Sequence, residues 1–210
     1  MKLWKSSMLI VGVVVLLLST LTVSAESDST GDVWHYYALS ETNWGWEAHT
    51  GSKPNIDITS VSDTITGSEA TLTMTVAGTI EDSDKIMYYI MMTAGESYYT
   101  AYYVDGESYC IGTGGYPIEL LNPVSGNTFT ATFEIDNPGA TYTVHGYTIE
   151  YKEVGEELGE MWQDYAPNTY APWYTGGDGN GGTGGGTPGF ETLAVIAAIG
   201  VALIILRKRK

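Results

Sequence analysis

The sequence contains very little cysteine and few basic residues. One of its 210 residues is a cysteine, Cys110, and nine are lysine or arginine. A single cysteine cannot form an intramolecular disulfide, so the fold must be stabilised by its hydrophobic core. Cys110 lies between Tyr109 and Ile111 in a strand-like segment, and such a setting predicts a buried small hydrophobic side chain rather than a reactive thiol.

Basic residues are scarcest in the middle of the chain. Six of the nine lysines and arginines, and one of the 25 acidic residues, lie in residues 1–25 and 188–210, so the segment between them has 24 acidic and three basic residues and a net charge of −21. This negative potential repels nucleic acid and excludes binding to a phosphate backbone. We interpret the acidity as a solubility coat for a salty medium, where salt screens self-repulsion, in preference to cation capture by clustered carboxylates. No metal or cofactor is therefore expected.

The N-terminus has the three parts of a secretory signal peptide. Lys2 and Lys5 provide a basic start, residues 8–18 an apolar centre, and Val23-Ser24-Ala25 a cleavage site with small residues. Residues 1–25 are therefore predicted to be a signal peptide, and the mature chain is expected to begin near Glu26. No cysteine follows the cleavage site, which disfavours the bacterial lipoprotein route.

The C-terminus has the order of a sorting tail. Thr187-Pro188-Gly189-Phe190 is followed by an apolar run over residues 193–206 and then by Arg207-Lys208-Arg209-Lys210. With its motif at Pro188, Gly189 and Phe190, this tail resembles the PGF-CTERM signal of archaeal surface proteins, and the resemblance covers residues 188–210. It implies an archaeal protein whose tail is removed by an archaeosortase and whose new end is joined to a membrane lipid.

A plain membrane anchor is the alternative for the same residues. As a helix with a rise of about 1.5 Å per residue, residues 189–206 are at the short limit for crossing about 30 Å of hydrocarbon. In either case the basic end stays inside under the positive-inside rule, and the exported part faces outward. The glycine-rich residues 175–187 are predicted to be a flexible linker between the domain and this transmembrane segment. The sequence thus predicts a protein that is anchored in the membrane and displayed on the cell surface.

Alternating apolar and polar residues predict that residues 26–174 form an all-β domain, an antiparallel β-sandwich. In the clearest run, residues 70–76, Ala, Leu, Met and Val share one face and Thr fills the other. Residues 86–92 are apolar on both faces, as in a central strand, and Asp105-Gly106 is typical of a type I′ hairpin. The apolar phase slips at Gly146, which predicts a β-bulge. Residues 153–165 have apolar side chains at helical spacing, which predicts a short C-terminal helical turn.

Catalytic motifs are absent from the sequence. It contains no G-x-S-x-G elbow, no H-E-x-x-H, no phosphate-binding glycine-rich loop before a helix and no C-x-x-C. Three histidines are expected to be structural, since a metal site would need them to converge from separate strands: His35, His49 and His145. Carboxylate pairs such as Asp82 with Asp84, or Glu156 with Glu157, would support glycoside hydrolysis only across a gap of roughly 5–9 Å. No catalytic residue is expected, and an extracellular hydrolase is the second alternative.

Aromatic residues are the better functional lead. Trp44-Gly45-Trp46 places two indoles on one face of an extended segment, and flat exposed rings beside carboxylates commonly hold sugars. Packing at the edge of the domain is the preferred interpretation of these rings. Sugar binding by Trp44 and Trp46 is the specific alternative.

A second resemblance supports the sandwich. Thr30-Gly31-Asp32-Val33, Pro54-Asn55-Ile56-Asp57-Ile58 and the alternating residues 72–78 resemble the start of DOMON-like sandwiches, which include family 9 carbohydrate-binding modules. These short motifs support a fold more than a ligand, and no binding residue is carried over from them. The sequence therefore predicts a non-catalytic surface protein with a structural or binding domain, and a carbohydrate-binding module as the first alternative. The expected partners are membrane lipid, an archaeosortase as processing enzyme and, in the alternative case, a glycan.

Overall fold

The fold is seen in a computed structural model, which describes residues 22–40, 43–49, 51–113, 115, 117–153 and 160–171. The predicted linker 175–187 and the predicted tail 188–210, with Pro188, Gly189 and Phe190, lie outside these residues, as do residues 1–21 of the predicted signal peptide. In the described part of the chain, no helix is long and apolar enough to cross a membrane.

The described residues form thirteen strands and one 3-10 helix. In chain order, the strands are β1 (Thr22–Ser27), β2 (Trp34–Ser40), β3 (Asn43–Ala48), β4 (Ile58–Thr66), β5 (Glu69–Val76), β6 (Ile86–Ala94), β7 (Ser97–Val104), β8 (Glu107–Gly112), β9 (Ile118–Glu119), β10 (Val124–Ser125), β11 (Thr128–Glu134), β12 (Thr143–Tyr151) and β13 (Met161–Ala166). The 3-10 helix, Asn168–Tyr170, follows β13.

The strands form two antiparallel sheets. Their orders are β1-β4-β5-β11-β10 in the first sheet and β3-β2-β13-β12-β6-β7-β8-β9 in the second. The main hydrophobic core lies between the sheets, because its buried residues come from both: Leu72 and Phe129 from the first, Ile90 and Val144 from the second. The fold is therefore all-β, with two antiparallel sheets that share one core, as the alternation of the sequence predicts.

Four local predictions are confirmed. In β5 every second residue is buried, and β6 is buried on both faces over residues 86–90. β7 and β8 are joined by Asp105 and Gly106, whose φ angles of 52° and 73° are those that a type I′ turn requires. Cys110 in β8 is buried, and burial raises the pKa of its thiol to about 12.

The predicted β-bulge at Gly146 is wrong. β12 pairs with β6 without a shift of register over residues 143–150. The apolar phase slips because the second sheet is buried on both faces: Val144 packs in the main core, whereas Tyr147 belongs to a second hydrophobic cluster on the opposite face. Gly146 instead marks a close approach of the sheets, since a Cβ at this position would lie 2.9 Å from Met74 Cε.

The predicted helical turn over residues 153–165 is wrong where the structure describes it. Residues 161–165 belong to β13, which pairs with β12 on one side and with β2 on the other; residues 154–159 lie outside the described part. Pairing on both sides gives the backbone hydrogen bonds and packing that a short helix containing Gly155 and Gly159 cannot match. Tertiary pairing therefore overrides the helical spacing of the sequence.

The predicted signal-peptide cleavage site lies within β1. This strand pairs with β4 along its whole length, so cleavage after Ala25 would leave only Glu26 and Ser27 of it in the mature chain. The next residue, Asp28, is held independently, because its backbone N–H donates to the Thr59 carbonyl at 3.0 Å. The loop after β1 is thus tied to the domain whether or not β1 is shortened.

Candidate functional site

Four aspartates and one asparagine from distant parts of the chain meet at one end of the two sheets. Asp28 follows β1, Asp32 precedes β2, Asp57 precedes β4, Asp164 lies in β13 and Asn168 lies in the 3-10 helix. We call these five residues the aspartate cluster. The strand order brings them together, because β1 is next to β4 in one sheet and β2 is next to β13 in the other.

Asn168 connects the first and last segments of the described domain. Its Nδ2 donates to Asp28 Oδ1 at 3.1 Å and to Asp32 Oδ2 at 2.6 Å, across 140 and 136 residues of sequence. Carboxylate oxygens of Asp28, Asp32 and Asp164 lie within 4.8 Å of one another. Three carboxylates therefore face each other over distances that one metal ion can bridge.

Asp164 and Asp57 are the most buried members of the aspartate cluster. Asp164 is 0% exposed, and its two oxygens accept hydrogen bonds from the backbone N–H groups of Ile58 (2.6 Å) and Tyr165 (2.9 Å). Asp57 is 6% exposed, and its Oδ2 accepts a hydrogen bond from the Gly31 N–H at 2.7 Å. Gly31 has a φ of +83°, a left-handed conformation that glycine adopts without strain. This conformation lets the loop between β1 and β2 direct an amide toward Asp57.

Three oxygens of the cluster are shielded from water and have no hydrogen-bond partner among the described residues: Asp28 Oδ2, Asp32 Oδ1 and Asp57 Oδ1. Within the same residues, no lysine, arginine or histidine lies within 4.0 Å of a carboxylate of the cluster. Buried carboxylates are normally paired with a cation, bound to a metal or protonated. The arrangement therefore favours uptake of either a proton or a metal ion.

Burial raises the pKa of these carboxyl groups. The pKa of Asp164 is raised to about 9, mainly by burial, with a contribution from the charges of Asp32 and Asp28. The pKa of Asp28 is raised to about 7 by burial and by Asp32, and that of Asp57 is raised by burial against the opposing effect of the Gly31 hydrogen bond. Without a cation, the cluster retains protons at pH values where an ordinary aspartate, with a pKa of about 3.9, has lost them.

Two of the three histidines lie around Trp162 and outside the cluster. His35 stacks on the Trp162 indole, with ring centroids 5.1 Å apart and 12° between the planes, and His49 meets the same ring edge-on at 6.1 Å. Two carboxylates flank the imidazole of His35: Glu47 at 3.0 Å and Glu160 at 3.3 Å. His145 lies in β12, opposite Met91. In the described part of the chain, no group of three metal-ligand side chains includes a histidine.

His145 provides a prediction about pH. Burial lowers its pKa to about 4, whereas a histidine in the unfolded chain has a pKa of about 6.5. The unfolded state therefore binds the proton more tightly, so the native state is favoured above pH 6.5 and this advantage is lost as the pH falls toward 4. We expect the parent to lose roughly 2–3 kcal/mol more unfolding free energy than His145→Gln between pH 6.5 and pH 4. Urea denaturation of both proteins at the two pH values measures this difference. Equal losses of unfolding free energy in the parent and in His145→Gln would contradict the expectation.

Trp44 and Trp46 lie in β3, at the edge of the second sheet. They are paired with Ala38 and Tyr36 of β2, and residues directly opposite each other share one face of a sheet. Both tryptophans are therefore on the face that carries Tyr36, which is buried. Their side chains lie outside the described residues.

The carboxylate pairs considered for hydrolysis are not part of the aspartate cluster. Asp82 and Asp84 lie in the loop before β6, and Glu156 and Glu157 lie outside the described residues. The cluster itself is not predicted by the sequence motifs. A local signal for it exists in Ile56-Asp57-Ile58, where a carboxylate stands between two apolar residues at the start of a strand.

Comparison of the chain with protein-family models, with curated proteins and with solved structures gives no match. The aspartate cluster and the sequence features at the two ends of the chain are therefore the basis for a functional proposal.

Proposed function

We propose that this protein is a non-catalytic cell-surface protein whose β-domain serves as a structural or binding domain on the outer face of an archaeal membrane. One observation carries the proposal: the order of a signal-peptide pattern, an acidic domain, a glycine-rich linker and a tail with Pro188-Gly189-Phe190 before an apolar run and a basic end. The two-sheet fold of the described residues supports it, because it provides a self-contained unit between the two ends.

The aspartate cluster supports a binding role. Backbone amides hold Asp164 and Asp57 by hydrogen bonds, and the Asn168 amide holds the other two aspartates in the same way. Side chains that are fixed like this present several oxygens to one place, which suits the binding of a ligand or an ion.

The state of the C-terminus tests the proposal. The mature protein is expected to lack residues 193–210 and to carry lipid in their place, because the apolar run is marginal as a membrane span and the motif marks it for removal. Mass spectrometry of the native protein from the membrane fraction measures this, and also shows whether the chain begins near Glu26. A mature pool that retains the Arg207-Lys208-Arg209-Lys210 peptide would contradict processing and leave a one-pass anchor.

A variant with alanine at positions 188, 189 and 190 is the matched control. It keeps the apolar run and the basic end, so it should accumulate with its tail attached.

Protease treatment of intact cells tests the location of the protein. Protease added outside the cells should digest the β-domain. A protein that is fully protected in intact cells, and digested only after lysis, would overturn the proposed display.

Carbohydrate binding is the second candidate. It is favoured by the position of Trp44 and Trp46, which lie two residues apart on the same face of the edge strand β3. Aromatic residues that share one face of a strand can provide a flat apolar surface for a sugar ring, and the acidic residues of the domain provide hydrogen-bond acceptors. Substitution of the two tryptophans separates this candidate from edge packing.

A further inference from the structure

We propose that the aspartate cluster binds one calcium ion. The ligands would be carboxylate oxygens of Asp28, Asp32 and Asp164, which lie within 4.8 Å of one another. Oxygens that bind one calcium ion at distances of about 2.3–2.6 Å are at most about 5 Å apart. The three carboxylates already satisfy this spacing. The proposal is independent of where the protein is displayed, because it uses only side chains of the described domain.

A second observation separates the cluster from an ordinary acidic surface. Asp57 is more than nine-tenths buried, yet its Oδ1 has no partner among the described residues. The Gly31 amide holds this carboxylate beside the loop that carries Asp28 and Asp32, and the charges of Asp57 and Asp28 interact. Buried acceptors are rarely left unsatisfied in native proteins. Together with the shielded oxygens of Asp28 and Asp32, Asp57 indicates a site for a positive partner.

The donor atoms select the ion. Every side chain of the aspartate cluster offers oxygen, the donor that calcium and magnesium prefer, whereas zinc and copper favour imidazole and thiolate. Three or four carboxylates carry more charge than a monovalent ion neutralises. Magnesium requires near-ideal octahedral geometry and retains several waters, but Asp164 and Asp57 are almost inaccessible to water. Calcium accepts irregular sets of six to eight oxygens, so it fits this cluster best.

The cluster is also held in place before an ion arrives. A carboxylate has about four acceptor sites, and the N–H groups of Ile58 and Tyr165 use two of those of Asp164. The remaining acceptor sites can bind an ion while these hydrogen bonds persist. Asn168 orients Asp28 and Asp32 in the same way. Hydrogen bonds of this kind fix the orientation of metal ligands and strengthen binding.

Calcium titration of the full chain, purified in detergent and freed of divalent ions with a chelator, tests the proposal. Calorimetry up to about 10 mM CaCl2 detects a site as weak as those of extracellular modules, on the order of 10⁻⁴–10⁻³ M. We expect saturable binding of about one ion per chain. We also expect CaCl2 to raise the melting temperature more than NaCl or MgCl2 at equal ionic strength, because an ion that binds only the native state stabilises it by mass action.

Asp164→Asn and Asp32→Asn should each weaken calcium binding by at least about tenfold, since each removes a charged ligand. Asp63→Asn is the matched control. Asp63 is 3% exposed and has an unpartnered Oδ1 among the described residues, but it lies in β4 at roughly 16 Å from Ile58 along the strand. Its substitution should leave the calcium affinity within about twofold of the parent. Asp32 lies on the more exposed side of the cluster. If Asp164→Asn does not fold, the calcium affinity of Asp32→Asn therefore tests the proposal.

Two results would overturn the proposal. The first is the absence of saturable binding together with equal stabilisation by the three salts, which would leave the cluster as a group of protonated carboxyls inside a solvated acidic coat. The second is a loss of binding in Asp63→Asn equal to that in Asp164→Asn, because calcium would then not be held by the aspartate cluster.

Discussion

Replacing Trp44 and Trp46 together by alanine is expected to lower the free energy of unfolding by several kcal/mol. Both residues lie in β3 on the face that carries the buried Tyr36. Truncating an aromatic side chain in a packed site costs about 3–5 kcal/mol. Because a whole domain has a stability of only about 5–15 kcal/mol, the loss should be visible as a large shift of the urea midpoint at constant slope.

Tyr98→Ala is the control for this double substitution. Tyr98 is a large aromatic residue of β7 that is 44% exposed, so its truncation should change stability by less than about 1 kcal/mol. Pull-down on insoluble polysaccharides accompanies the denaturation curves. A double variant that remains stable but no longer retains a polysaccharide recognised by the parent would reverse the expectation and identify a carbohydrate-binding module.

The second large effect is expected in the main core. Phe129 is fully buried in β11, and its ring centroid lies 6.2 Å from that of Tyr103 in the other sheet. Phe129→Ala should cost about 3–5 kcal/mol, because it removes apolar contacts on both sides of the sheet interface and leaves a cavity. Phe129→Leu should cost clearly less, since it retains much of the apolar volume.

Thr130→Ala on the same strand is the matched control, because Thr130 is only half-buried and points away from the core. It should change stability by less than about 1 kcal/mol. Denaturation monitored by tryptophan fluorescence and by far-UV circular dichroism measures all three variants. A similarly small loss for Phe129→Ala would mean that the two sheets do not share this core.

Most strands could be predicted because their information is local. In β5 and β11 one face is buried and the other is polar, so the period of two is visible in the sequence. β12 and β13 are harder to predict, because the second sheet is buried on both faces and the period of two disappears. Burial of both faces explains why the apolar residues change phase at Gly146. It also explains why the apolar residues of 153–165, the last of which lie in β13, have a helical spacing.

The aspartate cluster could not be predicted for a different reason. Asn168 meets Asp28 and Asp32 across more than a hundred residues, and this contact depends on which strands become neighbours in each sheet. The chain contains ten aspartates, and the sequence does not distinguish the buried ones from the solvated ones. Burial of Asp164 and Asp57 is the property that separates them, and it is visible only in the folded domain.

The place of Asn168 in the chain has a mechanical consequence. The structure describes the chain as far as Ala171, three residues after Asn168, and the predicted linker to the membrane begins at residue 175. If the domain is held by that linker, any drag on it from the medium enters the fold through the 3-10 helix and β13. Asn168 passes part of this load directly to the loop after β1, and an ion at Asp164 would stiffen the same point. The domain would then resist pulling best in calcium-rich surroundings. Where calcium is scarce, it would open first at the end that carries Asn168.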